Sequence, residues 1–265
     1  MKLALFQTAP QTEGTSNALR RLDDAARRAA GHACDAVLTP EMYLTGYAIG
    51  ADVAAAEALD PGGPTLQEAS DIARRNGVGL LIGYPERNPA GRPFNTVHLI
   101  DRKGETRALY RKTHLWGEID RAQFSPGPAL SPVVEMEGWK VALAICYDIE
   151  FPELARALTL AGAEAILVPT ASMHPYVSVA TQMVPSRAEE NEIAVAYCNY
   201  VGAEGDIRYF GHSTVAGPDG ATLARAAEEP DLLIASLDRR AFDEWRAQND
   251  HRADRRPDLY ASLGA

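Results

Sequence analysis

Lys140-Val141-Ala142-Leu143-Ala144-Ile145-Cys146-Tyr147-Asp148-Ile149-Glu150-Phe151-Pro152-Glu153 is the stretch that decides the fold. Residues 140–145 are an apolar run of the kind that forms a strand buried on both faces. Pro152 suits the first turn of a helix, where its missing N–H is not needed. Cys146 falls at the junction. A thiol on a tight strand-to-helix turn is presented at the C-terminal edge of a sheet, and the N–H groups that follow can face a developing oxyanion. The helix dipole also favours a thiolate there.

The same strand-and-helix alternation extends in both directions. Strands are expected at 2–8, 36–39, 78–84, 165–169, 193–199 and 232–237, with hairpins at 94–101/105–112 and 212–216/221–225. Helices are expected after Ser16 or Asn17, which would cap the first, and after the capping box Thr65-Leu66-Gln67-Glu68. Another is expected over 176–190, kinked or broken by Pro185, and a last one is capped by Asp238. Residues 113–131 read as a long irregular loop, a type of segment that often carries function. The pattern is mixed α/β with helices outside. No linker or composition shift divides the chain, so 1–265 is expected to be one domain.

The chain has 265 residues, 46% of them apolar and 23% charged, which is ordinary for a globular protein. Its net charge of −10 disfavours a nucleic-acid partner. No window approaches the length of a membrane span, and the apolar stretch at the N-terminus is too short for a signal peptide. A cytoplasmic location is therefore expected. The three cysteines, Cys34, Cys146 and Cys198, are odd in number and widely spaced. Neither a disulfide framework nor a zinc site is expected, and no metal or cofactor is implied.

A nucleophilic thiol needs a base. The six histidines include no metal-ligand spacing and no local protease signature, although His114 and His174 stay open as partners of Cys146. The alternative is a carboxylate with a lysine. Glu41 and Lys112 each lie just past the end of a strand, as Cys146 does, and C-terminal strand ends line the functional crevice of an open sheet. A carboxylate in a closed site can be raised in pKa and act as a base, and a lysine can hold a tetrahedral oxyanion. A binding protein without catalysis is a further possibility.

Three segments carry a resemblance. Leu38-Thr39-Pro40-Glu41-Met42-Tyr43-Leu44-Thr45-Gly46-Tyr47, Tyr110-Arg111-Lys112-Thr113-His114-Leu115 and Ile145 to Glu153 resemble the signature blocks of the nitrilase superfamily of carbon–nitrogen hydrolases. Their order matches, as do the gaps of 71 residues from Glu41 to Lys112 and 34 from Lys112 to Cys146. The resemblance runs from Lys2 to Tyr260. It implies a four-layer α-β-β-α sandwich, commonly a homodimer. It also implies Glu41 as general base, Lys112 as oxyanion stabiliser and Cys146 as nucleophile, with the N–H of Tyr147 completing the oxyanion hole. The family's second glutamate would be Glu118, with Asp120 as its neighbouring competitor.

The cysteine block also bears on the substrate. Tyr147-Asp148 departs from the Cys-Trp-Glu of true nitrilases. Carbamylase branches tend to carry tryptophan after the cysteine or arginine near position 150. Glu150 instead resembles the aliphatic and R-stereoselective amidases. The implied reaction is hydrolysis of a small carboxamide to acid and ammonia through a thioacyl enzyme. An N-carbamoyl amine or amino acid amidohydrolase and an ω-amidase are the alternatives. Thr170-Ala171-Ser172-Met173 would line the pocket, with Tyr47 and Asn95 as further wall candidates.

Overall fold

A computed structural model describes residues 1–10, 13–249 and 251–260, so the expected domain of 1–265 includes residues 11, 12, 250 and 261–265 outside the described ones. The first half runs β1 (Lys2–Gln7), α1 (Thr15–Gly31), β2 (Ala36–Leu38), α2 (Ala51–Ala56), α3 (Pro64–Asn76), β3 (Gly79–Glu86), β4 (Phe94–Ile100), β5 (Thr106–Arg111) and α4 (Gly117–Gln123). It continues with β6 (Val134–Met136), β7 (Trp139–Leu143), a 3-10 turn at Cys146–Glu150, α5 (Pro152–Leu160), β8 (Ala165–Pro169), α6 (Val184–Asn191) and β9 (Ala194–Cys198). The hairpin β10 (Val201–Glu204)/β11 (Ile207–Phe210) follows, then β12 (Thr214–Ala216), β13 (Thr222–Arg225), β14 (Asp231–Ser236) and α7 (Arg239–Arg246).

The strands form two six-stranded sheets, ordered β14-β1-β2-β3-β4-β5 and β13-β12-β9-β8-β7-β6. Each has a parallel centre, β1-β2-β3 or β7-β8-β9, with antiparallel strands on both sides. Parallel neighbours require crossovers, and α1 and α3 supply them in one sheet, α5 and α6 in the other.

Alternation along the central strands explains the layering. Leu3 and Leu5 of β1, Leu81 of β3 and Leu167 of β8 point between the sheets, in a core shared with Val141, Leu143 and Val215. Their neighbours point outward. Val37, Leu80 and Ile82 meet Leu19, Leu22, Leu66 and Ile72 of α1 and α3. Ile166, Val168 and Val195 meet Leu154, Leu158, Val184 and Ala188 of α5 and α6. The result is the four-layer α-β-β-α sandwich that the apolar, doubly buried strands require.

Several boundaries differ from expectation. The first helix begins at Thr15 behind Gly14, so neither Ser16 nor Asn17 is its cap. The helix expected at the Thr65 capping box is α3, which begins at Pro64 behind Gly63, and Thr65 caps nothing because the pre-set φ of Pro64 starts the helix one residue earlier. The segment 113–131 contains α4. Pro185 does not break its helix: a π-turn at Val179–Met183 runs straight into α6 through helical backbone at Met183 and Val184, and this widened turn accommodates the proline's missing N–H. Asp238 caps α7 as expected, its side chain accepting the N–H of Arg240 at 2.9 Å.

Candidate active site

Glu41 follows β2 on a turn pressed against β3. The close approach needs Gly83, because a Cβ there would stand 2.5 Å from the backbone nitrogen of Met42. Met42 itself adopts φ 53°, a left-handed conformation that costs a non-glycine residue energy. The turn aims the Glu41 side chain into the seam between the sheets. Its Oε1 accepts the Asn95 amide at 2.7 Å and the Lys112 ammonium at 2.6 Å. Its Oε2 accepts the backbone N–H of Ala171, from the other sheet's β8 end, at 3.0 Å.

Lys112 follows β5. Its N–H donates to the Asn95 carbonyl at 2.8 Å, and its carbonyl accepts from Gly127 at 2.7 Å. That second contact also demands glycine: a Cβ on residue 127 would lie 2.2 Å from the carbonyl oxygen of Arg111. The ammonium touches Glu41 and, at 2.7 Å, Asp120; all three side chains are 0% exposed. It also lies 5.7 Å from the centre of the Tyr47 ring.

Asp120, and not Glu118, therefore supplies the second carboxylate. Glu118 projects away, 92% exposed, and pairs with Arg121 at 3.4 Å. Both residues sit on α4, where positions two apart differ by roughly 200° around the axis and cannot face the same side. Asp120 Oδ2 also accepts the N–H of Trp116 at 2.8 Å, and Oδ1 is buried without a partner. Glu118→Ala is expected to leave ammonia release within about twofold and stability within about 0.5 kcal/mol, as for other exposed sites. Asp120→Ala is expected to lower kcat/KM by about 10²-fold, the range for losing support of an oxyanion donor. Steady-state kinetics on the two variants checks both.

Cys146 opens the 3-10 turn after β7 with φ 47°, a second strained non-glycine position. Asp148 locks this turn to the lysine's strand. One oxygen accepts Thr113 Oγ1 and the N–H of His114, each at 3.0 Å; the other accepts the Tyr110 hydroxyl at 2.8 Å and the N–H of Ile145 at 3.0 Å. His114 is thereby committed to Asp148, with Nδ1 at 2.8 Å and its ring 4.1 Å from that of Phe151. Neither His114 nor His174 lines the cleft at Cys146.

The electrostatics follow from burial. Burial raises the pKa of Glu41 and Asp120 pushes the same way, against the opposing pull of Lys112. Burial works against the charge on Lys112, but Asp120 and Glu41 outweigh it and hold the ammonium well above its ordinary pKa. Burial and then Glu41 push the Cys146 thiol up, while Lys112 and the N–H of Ala171 lower it. The resting arrangement is a neutral thiol beside a carboxylate whose proton affinity is raised, with a permanent cation between two carboxylates.

The cleft at Cys146 is small, about 20 Å3, and is lined by Tyr47, Tyr147, Ala171 and Met173, all expected from the sequence. Thr170 and Asn95, also expected in the wall, act one step back: the Thr170 carbonyl accepts the N–H of Glu41 at 3.2 Å, and Asn95 holds its side chain. Trp116, Glu150, Ser172 and Tyr176 complete the lining. Trp116 and Tyr176 meet edge to face at 5.8 Å. The carboxylate of Glu204, on the hairpin β10/β11, accepts the N–H groups of Tyr47 and Ala48, each at 3.1 Å, and so fixes one wall. A larger cavity of about 280 Å3, bounded by Trp139, Leu223, Phe242 and Trp245, contains none of these groups. Among the described residues no group of three or more His, Cys, Asp or Glu side chains could hold a metal ion, and no helix is long and apolar enough to cross a membrane.

Comparison with known proteins agrees with this geometry. The carbon–nitrogen hydrolase family model matches residues 2–247. The chain is 47% identical over 263 residues to a Pseudomonas protegens protein described as a hydrolase in the pqqF 5′ region, covering 99% of this chain and 92% of that one. It is 36% identical to an (R)-stereoselective amidase of Pseudomonas sp, covering 97% and 92% of the two chains. The crystal structure of an amidase from Nesterenkonia sp. superposes with a TM-score of 0.90 at 34% identity, covering 99% of this chain and 96% of that one. A double mutant of the Nesterenkonia sp. AN1 amidase has been solved in complex with acrylamide. The chain belongs to the carbon–nitrogen hydrolase family of the nitrilase superfamily. It is an enzyme of that class, a hydrolase of non-peptide carbon–nitrogen bonds.

Proposed function

We propose that the protein is an amidase that hydrolyses a small primary carboxamide through a thioacyl enzyme. The carrying observation is the buried Lys112 ammonium, in contact with Glu41 and Asp120 behind the cleft and near enough, with Glu41, for its charge to act on the Cys146 thiol. Glu41 takes the thiol proton, and Sγ of Cys146 attacks the amide carbon. Lys112 Nζ and the N–H of Tyr147 hold the tetrahedral oxyanion. Glu41 passes its proton to the amide nitrogen, the C–N bond breaks, and ammonia leaves. Glu41 then takes a proton from water, whose oxygen attacks the thioester; the acid departs and the thiol is restored. Asp120 keeps Lys112 charged and aligned, and its unpartnered Oδ1 is available to the N–H of the incoming amide. The acrylamide complex of the Nesterenkonia amidase supports a small amide as substrate.

The test is ammonia release from primary amides, N-carbamoyl amines, ω-amides and nitriles. Turnover of primary amides is expected. Turnover of N-carbamoyl compounds with none of primary amides overturns the assignment. The same reading includes a homodimer acting in the cytoplasm, and sedimentation of the purified chain checks the oligomeric state.

A pH dependence follows from Glu41. Below its pKa the carboxyl is protonated and cannot accept the thiol proton, so activity is lost as pH falls through that value. Because burial raises it, the acid limb of kcat/KM is expected above the ordinary glutamate value near 4.5. A limb at or below 4.5 in the pH–rate profile would remove Glu41 from the role of base.

A further inference from the structure

Glu150 lies at the cleft with no direct salt-bridge partner for its carboxylate, although the charges of Lys112 and Arg187 reach it from a distance. It lines the same small cavity as Cys146, four residues further along the 3-10 turn, and is half-buried. Among the described residues no hydrogen bond or ion pair reaches its carboxylate. The nearest guanidinium is committed elsewhere. Arg187 donates through Nε to the Ile149 carbonyl at 3.1 Å and through Nη2 to the Glu150 carbonyl at 2.9 Å, while Nη1 pairs with Glu190 at 3.0 Å. These bonds hold the backbone of Glu150 in place and leave its side chain unpaired. Burial raises its proton affinity and outweighs the opposing pull of Lys112 and Arg187, the mark of a carboxylate short of solvent.

The remaining walls suit a cation. Trp116, Tyr147 and Tyr176 present aromatic rings to the cavity, and Tyr47 closes another side. Aromatic faces attract ammonium groups, most strongly where water is excluded. No lysine, arginine or histidine lines the cavity. The one buried cation near it, Lys112, is already matched by two carboxylates. Glu150 is the one charged residue in the cavity lining, so an anionic substrate would meet a carboxylate and no cation in the walls.

We propose that Glu150, with the aromatic rings of Trp116, Tyr147 and Tyr176, forms an ammonium subsite, so that the preferred substrates are short primary amides bearing a protonated amine on the acyl side. Amides bearing a free carboxylate are disfavoured, which separates this site from ω-amides of dicarboxylic acids and from N-carbamoyl amino acids. This rests on the amidase reading for its substrate, but its central claim concerns only charge beside the Cys146 thiol, which can be measured without turnover.

The experiment therefore has two arms. In the first, Cys146 is alkylated with 2-bromoethylammonium, iodoacetamide or iodoacetate, and each rate is divided by that of glutathione with the same reagent. The normalised rate for the cation is expected to exceed that for the anion by about tenfold or more, the scale of one charge acting at short range in a partly desolvated site. Glu150→Gln is expected to bring the ratio down several-fold, and Glu150→Asp, which keeps the charge, to restore it. A ratio unchanged in Glu150→Gln overturns the subsite, as does a preference for iodoacetate in the unsubstituted protein. In the second arm, ammonia release is compared for 3-aminopropanamide, butanamide and succinamate. Equal or better turnover of succinamate also overturns the subsite. If no amide is cleaved while the alkylation ratio holds and responds to Glu150, the amidase reading falls and the ammonium subsite stands.

Discussion

Replacing Cys146 by alanine is expected to abolish ammonia release while leaving the protein folded. The loss should be about 10⁴-fold or more, the scale seen when a hydrolase loses its nucleophile. The thiol sits at the head of a turn whose shape is set by other groups: Asp148 holds the N–H of Ile145 and ties the turn to Tyr110 and Thr113. Alanine can occupy the same left-handed backbone at a similar cost, so the thermal midpoint should move little. The other two cysteines give the contrast. Cys34 and Cys198 are buried, and the Cys198 thiol donates to the Leu38 carbonyl at 3.2 Å. Cys198→Ala is expected to cost stability and keep turnover. Appreciable turnover in purified Cys146→Ala, or its loss in Cys198→Ala with the fold intact, would contradict the assignment of the nucleophile.

Lys112→Ala should damage stability and activity together, where Cys146→Ala removes activity alone. It removes the cation between Glu41 and Asp120 and leaves two fully buried carboxylates with no counter-charge. Breaking a buried pair by deleting one partner costs about 3–5 kcal/mol. One oxyanion donor is lost as well, worth about 10²–10³ in kcat. The two effects are separable. Lys112→Met together with Asp120→Asn removes the ammonium and one of the stranded carboxylates, and is expected to recover much of the stability with no recovery of turnover. Denaturant unfolding and ammonia release on the single and double variants form the measurement. A double variant no more stable than Lys112→Ala would show that the lysine does not act by neutralising these carboxylates.

The layers and the three central site residues were legible because each rests on a strong local pattern. Apolar runs such as 140–145 and 165–169 have only one way to be buried on both faces. Glu41 and Cys146 follow such strands, and Lys112 follows β5, an edge strand that alternates between exposed and buried residues. The second carboxylate was not legible at the same level. Choosing between Glu118 and Asp120 depends on rotation about α4, and the segment 113–131 shows no apolar period from which a helix could be read. The walls were half legible. Ala171 and Met173 follow a strand end, whereas Trp116 and Tyr176 come from turns whose direction depends on tertiary contacts. The hairpin β10/β11 was missed, though Gly205-Asp206 between two short runs is a turn signal; its Glu204 matters through two N–H groups far away in sequence.

The bond from Glu41 Oε2 to the N–H of Ala171 joins the two halves of the sandwich at the point where the proton is handled. The base is aimed by one sheet and steadied by the other, so the site is complete only while the sheets are docked. Catalysis is thereby a gauge of the interface between them. Along a denaturant series, turnover should fade with the first loosening of that seam, before the helices on either outer face unravel. For anyone reshaping this enzyme, substitutions deep between the sheets are changes to its chemistry even when they lie far from the cysteine.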